Sequence, residues 1–325
     1  MTMARARSSS DLKRLLKDPQ LKADTIVVKP NWVGTDRSYG FTECEALRML
    51  LEALDGRIVV TESYNLGRGP PNGGMKFTAD RKEVDWKWLF AGKGWKWLEK
   101  HPGWDWFKES GQWDHIRKND EWFLDEYGFT DLFNDCGVEY VNVTEEIWQG
   151  RIADPQEIKK AVGSRFTPVF KEEVYRCIPR KLYELRSATF ISFPKLKKPY
   201  KDIVSFTLKN FFGLLPDPLR AWWHQWFDTS LIDTVKVYSS LFNVYGICEG
   251  IHYVPWWEKN KKTLKNLGIV AFGRHLVSVD AVLCGLVGVD IEKLSYIKLA
   301  EETFGAYDKR HVEEAKAAGA DWFPC

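Results

Sequence analysis

Short β-branched runs alternate with amphipathic stretches along most of this chain. The segments "DTIVVKPNWVG" and "GRIVVTESYN" are apolar runs closed by Pro, Gly, Asn or Ser, the pattern of strands buried on both faces. Between them, "TECEALRMLLEALDG" sets Ala46, Leu47, Leu50, Leu51 and Leu54 at helical spacing and stops at a glycine, which predicts a helix. Strand, helix and strand at this separation make a βαβ unit with a right-handed crossover. The alternation resumes in "FTDLFNDCGVEYVNV" and "LYELRSATFISFP", then in "NVYGICEGI", "NLGIVAFG", the helix "SVDAVLCGLVG" and "IEKLSYIKLAEETFG". The predicted fold is α/β: a mixed, mainly parallel sheet covered by helices on both faces.

One segment breaks this rhythm. Residues 84–128 carry eight of the sixteen tryptophans, in related pieces "WKWLF", "WKWLE" and "WDWFK" whose spacing is irregular and too short for a solenoid repeat. We read 1–325 as one elaborated α/β domain with its core in 22–78 and 129–310, and 84–128 as a Trp-rich helical insertion on a βα loop, a lid or subdomain. Such loops sit above the carboxyl ends of strands, where open sheets bind ligands. The same rings also suit a docking surface for a protein partner or a second copy. They suit an extra packed helical layer equally well. The Trp and Lys residues interleaved between Trp86 and Trp97 suit association with a membrane surface.

Composition narrows the function classes. The 325 residues carry a net charge of only +2, so no general nucleic-acid surface is expected and cationic function must be local. Six cysteines lie scattered with no CxxC, which fits reduced thiols in a cytoplasmic protein. No apolar stretch before Thr25 has the length of a signal peptide, and "VSVDAVLCGLVGV" falls short of the roughly 20 residues that a bilayer crossing needs.

The local charge is concentrated in "FPKLKKPYKDIVSFTLKN", which sets five lysines against one aspartate beside Ile203, Val204, Phe206 and Leu208. Ammonium groups next to a core need a carboxylate, a ligand anion or a route for the head group to water. Lys195, Lys197 and Lys209 therefore suggest an anion pocket, against the plainer reading of snorkelling lysines on an alternating strand. Lys29 and Asn31 end the first predicted strand, where they either meet an anion or close a solvated turn. Glu62 ends the next strand, between Thr61 and Ser63 and ahead of the glycine-rich loop Gly67 to Gly74. That loop is not a GxGxxG phosphate cradle. His224, within "LRAWWHQWF", is either an acid or base or the satisfied partner of a backbone carbonyl. Asp280 falls where a helix begins in the pattern, the usual place for an N-cap or first-turn carboxylate. Glu249, in "CEG", is a further acidic candidate.

The blocks "TIVVKPNWVG", "IVVTES", "ISFPKLK", "FTLKNFFGLLP", "RAWWH", "ICEGI" and "IVAFGRHLVSVDAVLCGLVGVD" occur in the order and spacing of the domain of unknown function 362 family, which the chain resembles over most of its length outside the insertion and the termini. The matching positions are Lys29, Asn31, Thr42, Glu62, Lys197, Lys209, Asn210, Gly213, His224 and Asp280, with Glu249 at a usually acidic position. Pro199 stands where the family often has a histidine. Many members are described as iron–sulfur proteins and carry a four-cysteine module that is missing here, so no cluster is expected.

These readings combine into an enzyme acting on a phosphorylated or carboxylated small molecule. Lys29, Lys197 and Lys209 would neutralise it, Asn31, Asn210, Thr42 and Glu249 would bind and orient it, and His224, Glu62 or Asp280 would move protons beneath an aromatic lid. Transfer, ligation and isomerisation stay open. A divalent metal bridging the anion and the carboxylates is compatible with this set, although no ligand spacing calls for one. The alternative is a non-catalytic ligand-binding or redox-accessory protein that docks through its Trp-rich segment.

Overall fold

The computed structural model describes residues 1–34, 40–70, 77–79, 82–84, 112–198, 204–218, 220–254 and 265–322. The Trp-rich stretch 85–111, the latter half of the glycine-rich loop and Pro199 lie outside them.

Among the described residues there are ten strands: β1 (Thr2–Arg5), β2 (Thr25–Lys29), β3 (Arg57–Glu62), β4 (Phe77–Ala79), β5 (Lys82–Val84), β6 (Glu139–Asn142), β7 (Thr189–Ser192), β8 (Lys195–Lys197), β9 (Asn243–Val254) and β10 (Lys265–Gly273). Eight form one sheet in the order β1-β10-β9-β7-β2-β3-β6, with β8 alongside β9, while β4 and β5 make a separate hairpin. Neighbours from β9 to β6 run parallel, and β10 and β1 close the other edge antiparallel. The sheet is thus mixed and mostly parallel, as the alternation of apolar runs predicts.

The two apolar faces of each central strand enter different cores. Val27, Val59 and Phe190 join one cluster with Phe211, Tyr238 and Val279. Their neighbours Ile26, Val28, Ile58, Val60 and Ile191 join the other with Leu47, Leu50, Phe123 and Phe129. The helices Phe227–Leu241 and Leu276–Leu286 thereby cover the first face, and Cys44–Ala53, Gln112–Glu126 and Phe129–Cys136 cover the second. Gly56, at φ 109°, turns the chain from the first of these helices into β3 at the predicted stop; a Cβ there would lie 2.6 Å from the Ala23 carbonyl.

Strand β1 and all but the first two residues of the helix Lys309–Trp322 lie outside the core bounds 22–78 and 129–310 read from the pattern. β1 joins by backbone pairing, Thr2 opposite Phe272, and "TMAR" carries no apolar run to announce it. The described end of the insertion is a packed layer. In Gln112–Glu126, Ile116 and Phe123 are buried, and Phe123 meets the Trp32, Phe41 and Phe129 rings. Among the described residues, no helix is long and apolar enough to cross a membrane.

Candidate functional site

β2, β3 and β7 end side by side in Lys29, Glu62 and Ser192, at the carboxyl edge where open α/β sheets hold ligands. Lys29 is wholly buried, and its Nζ donates to Glu62 Oε1 at 2.6 Å, Pro30 O at 2.9 Å and Asn210 Oδ1 at 3.1 Å. These three acceptors use all three N–H donors of an ammonium. Burial lowers Lys29 to about 8, and the Glu62 carboxylate opposes that shift. Glu62 also accepts from the backbone N–H groups of Trp32 and Ser63. Gly213 passes over this pair; a Cβ on it would lie 2.7 Å from Lys29 Nζ, so the chain needs glycine at this approach.

Two asparagines carry the network to a second lysine. A lysine only donates, so the Lys29 contact fixes Asn210 with its Oδ1 towards Lys29. Asn210 Nδ2 then donates to Lys29 O and Ser192 Oγ, and its Oδ1 accepts from Asn31 Nδ2 at 3.3 Å. That orientation turns Asn31 Oδ1 outward, where it accepts from Lys197 Nζ at 2.5 Å. Lys197 is 4 % exposed and also donates to Gly40 O at 2.8 Å. It makes no ion pair among the described residues. Burial, reinforced by the positive charges of Lys209, Lys195 and Lys29, lowers it to about 7.

Lys209 and Arg220 add two further cations without carboxylates. Lys209 Nζ faces the Phe227 ring, 5.4 Å from its centroid, and has no hydrogen bond or ion pair among the described residues; burial lowers it to about 8. Arg220 is buried, at φ 57°, and donates to Gly213 O at 2.7 Å, while its Nε has no partner among the described residues. Burial lowers it to about 10. His224 packs its ring on Phe212 and Phe227, with Nδ1 2.8 Å from Arg220 O. The residue is exposed as a whole, but desolvation of the ring against these aromatics lowers the imidazole pKa, and the charges of Arg220 and Lys209 act in the same direction.

Of the candidates read from sequence, Lys29, Asn31, Glu62, Lys197 and Asn210 form one bonded network, with Lys209 and His224 beside it. Thr42 braces it: its Oγ1 accepts from Asn31 N at 2.9 Å and donates to Phe193 O at 3.1 Å. Glu249 pairs at 3.0 Å with Lys195, both wholly buried. Asp280 sits in the second turn of Leu276–Leu286 instead of capping that helix. It accepts from Thr207 N at 2.8 Å, Thr207 Oγ1 at 2.5 Å and Leu208 N at 3.0 Å. It therefore holds the Thr207–Asn210 turn that carries Lys209 and Asn210. Burial raises its carboxyl to about 7.

Two arginines here were not candidates. Arg220 lies four residues before His224 in "RAWWH", the i,i+4 spacing that was the available signal. Arg68, in the glycine-rich loop, is buried against Asp120 at 2.5 Å and donates to Ser63 O. That partner lies within the Trp-rich segment, so nothing local marked it. Among the described residues, no group of three His, Cys, Asp or Glu side chains is placed to hold a metal ion.

No curated protein and no solved structure matches the chain. The model of the domain of unknown function 362 family matches residues 26–285, and with most of its length so covered the chain belongs to that family.

Proposed function

We propose that this protein is an enzyme acting on an anionic small molecule, phosphorylated or carboxylated, at the carboxyl edge of the sheet. The observation that carries the reading is the charge imbalance around Lys209. Lys197, Lys209 and Arg220 stand close enough to His224 or to one another to perturb their titration, and none has an ion pair among the described residues. Lys197 and Arg220 are buried and Lys209 is partly so, and a cation taken fully out of water without a counter-charge costs several kcal/mol. A ligand anion supplies the missing charge, with each charge-assisted hydrogen bond contributing about 1.5 to 3 kcal/mol.

Lys29 has a structural part in this reading, because Glu62 already neutralises it. An enzyme is favoured over a passive binder by the titratable groups gathered here: a histidine below its ordinary pKa and an amine near 7 both lie beside Lys209, and such groups serve acid–base and nucleophilic steps. The described cysteines are unpaired, which fits a reducing compartment such as the cytoplasm.

Thermal unfolding in sulfate, glycerol phosphate or succinate tests the reading against sodium chloride of equal ionic strength. At a hundredfold excess over Kd, a bound anion stabilises by about 2.7 kcal/mol. The gain should vanish in Lys209→Met. Equal melting in all four salts, or an undiminished gain in the variant, would sink the proposal.

A further inference from the structure

We propose that Lys197 is an amine nucleophile that forms an imine with the carbonyl carbon of an anionic aldehyde, ketone or 2-oxo acid. The inference rests on the anion-binding reading above and names the substrate class within it.

Lys29 Nζ has three acceptors, the number an ammonium needs. Among the described residues, Lys197 Nζ has two, Asn31 Oδ1 and Gly40 O. Two acceptors match the two hydrogens of a neutral amine and leave its lone pair unengaged. Neither acceptor can reverse its role: Gly40 O is a carbonyl, and the Asn31 amide is turned by the chain of contacts that begins at Lys29. The bonds therefore aim the lone pair away from both oxygens.

The surroundings favour the neutral form. Lys29 from β2, Lys195 from β8 itself and Lys209 from the Thr207–Asn210 turn all bear on Lys197 with like charge. Glu62 from β3 acts in the opposite sense, but it is already bonded to Lys29. An amine desolvated among other cations is the arrangement that activates lysine nucleophiles. The other lysines are less suited. Lys29 has spent its donors, and Lys195 is held as an ion pair by Glu249. Lys209 is the charged neighbour that acts most strongly on Lys197. An anionic group compensating Lys209 therefore brings an adjoining carbonyl carbon towards the Lys197 lone pair.

The step balances without a further reactant. The lone pair forms the C–N bond, the carbonyl π pair moves to oxygen, and the two amine hydrogens leave with that oxygen as water. The product is an imine at unchanged oxidation level.

Glyoxylate is the probe, reduced in place with cyanoborohydride and followed by peptide mass mapping. At pH 7, Lys197 should be carboxymethylated on the order of tenfold or more faster than exposed Lys13, because burial among other cations lowers Lys197 to about 7. Glycolate, which has the anion but no carbonyl, should slow the labelling. Lys197→Arg should lose the label while sulfate still stabilises the protein. If sulfate and glycolate stabilise the parent but Lys197 is labelled no faster than Lys13, the imine is refuted and the anion site stands. If neither anion stabilises the protein and Lys197 shows no preference, both readings fail.

Discussion

Lys29 Nζ and Glu62 Oε1 meet at 2.6 Å at the ends of two neighbouring parallel strands, both side chains shut off from water. Removing one member of such a pair strands the other charge. We predict that Lys29→Met costs about 3 to 5 kcal/mol of unfolding free energy. Lys197→Met deletes an amine that no carboxylate neutralises, and we predict a change within about 1 kcal/mol of zero or a gain in stability. Urea unfolding of the two variants side by side checks the contrast; equal losses would mean that Lys197 is a structural cation like Lys29.

Gly213 should tolerate no side chain. Its added Cβ would fall 2.7 Å from Lys29 Nζ and 3.4 Å from Glu62 Oε2, so Gly213→Ala must displace the ammonium from its carboxylate. Overpacking of this kind costs about 1 to 3 kcal/mol. Chemical denaturation measures the loss, and anion-dependent stabilisation should fall with it because Gly213 O also holds Arg220.

Asp280→Asn separates the capping role from charge. The asparagine still accepts at one atom but turns an N–H₂ towards a backbone donor, at a cost of about 1 to 3 kcal/mol. In the parent, burial raises the Asp280 carboxyl from 3.8 to about 7, so between those values the folded protein holds a proton that the unfolded chain has released. This contribution makes parental stability fall as pH rises through the window. The deficit of the variant should therefore be largest near pH 4 and shrink towards pH 7, as read from unfolding curves at several pH values. A constant deficit would mean that the carboxyl is not titrating there.

Sulfate should bind more weakly as pH rises from 7 to 9. Lys197 and Lys209 lose their protons near 7 and 8, whereas sulfate keeps its charge. Anion binding favours the protonated lysines, so it takes up protons, and affinity declines by up to about tenfold per pH unit for each coupled proton. Calorimetry in buffers of different ionisation enthalpy measures the uptake; an affinity flat across this range would remove these lysines from the site.

The sheet was legible because Val27, Val59 and Phe190 sit in runs whose neighbours are equally apolar, and strands buried on both faces leave that mark. Lys29, Asn31 and Glu62 were legible because chain ends at the carboxyl edge of such strands follow from the alternation itself. What escaped was set by contacts distant in the chain. Glu249 stood as a further acidic candidate for binding, and β8 lays Lys195 opposite it. Asp280 looked like a cap for its own helix and instead caps a turn some seventy residues earlier. Arg220 donates to a carbonyl from a left-handed backbone, a conformation that no periodicity announces. The edge strand β1 pairs through its backbone alone, so its side chains did not have to advertise it.

Crystals grown in selenate, an anomalous scatterer shaped and charged like sulfate, would reveal where an anion settles. We predict an anomalous peak within hydrogen-bonding distance of Lys209 Nζ, with Arg220 or Lys197 as a second contact. Ordered selenate elsewhere, with those nitrogens left to water alone, would contradict the proposed site.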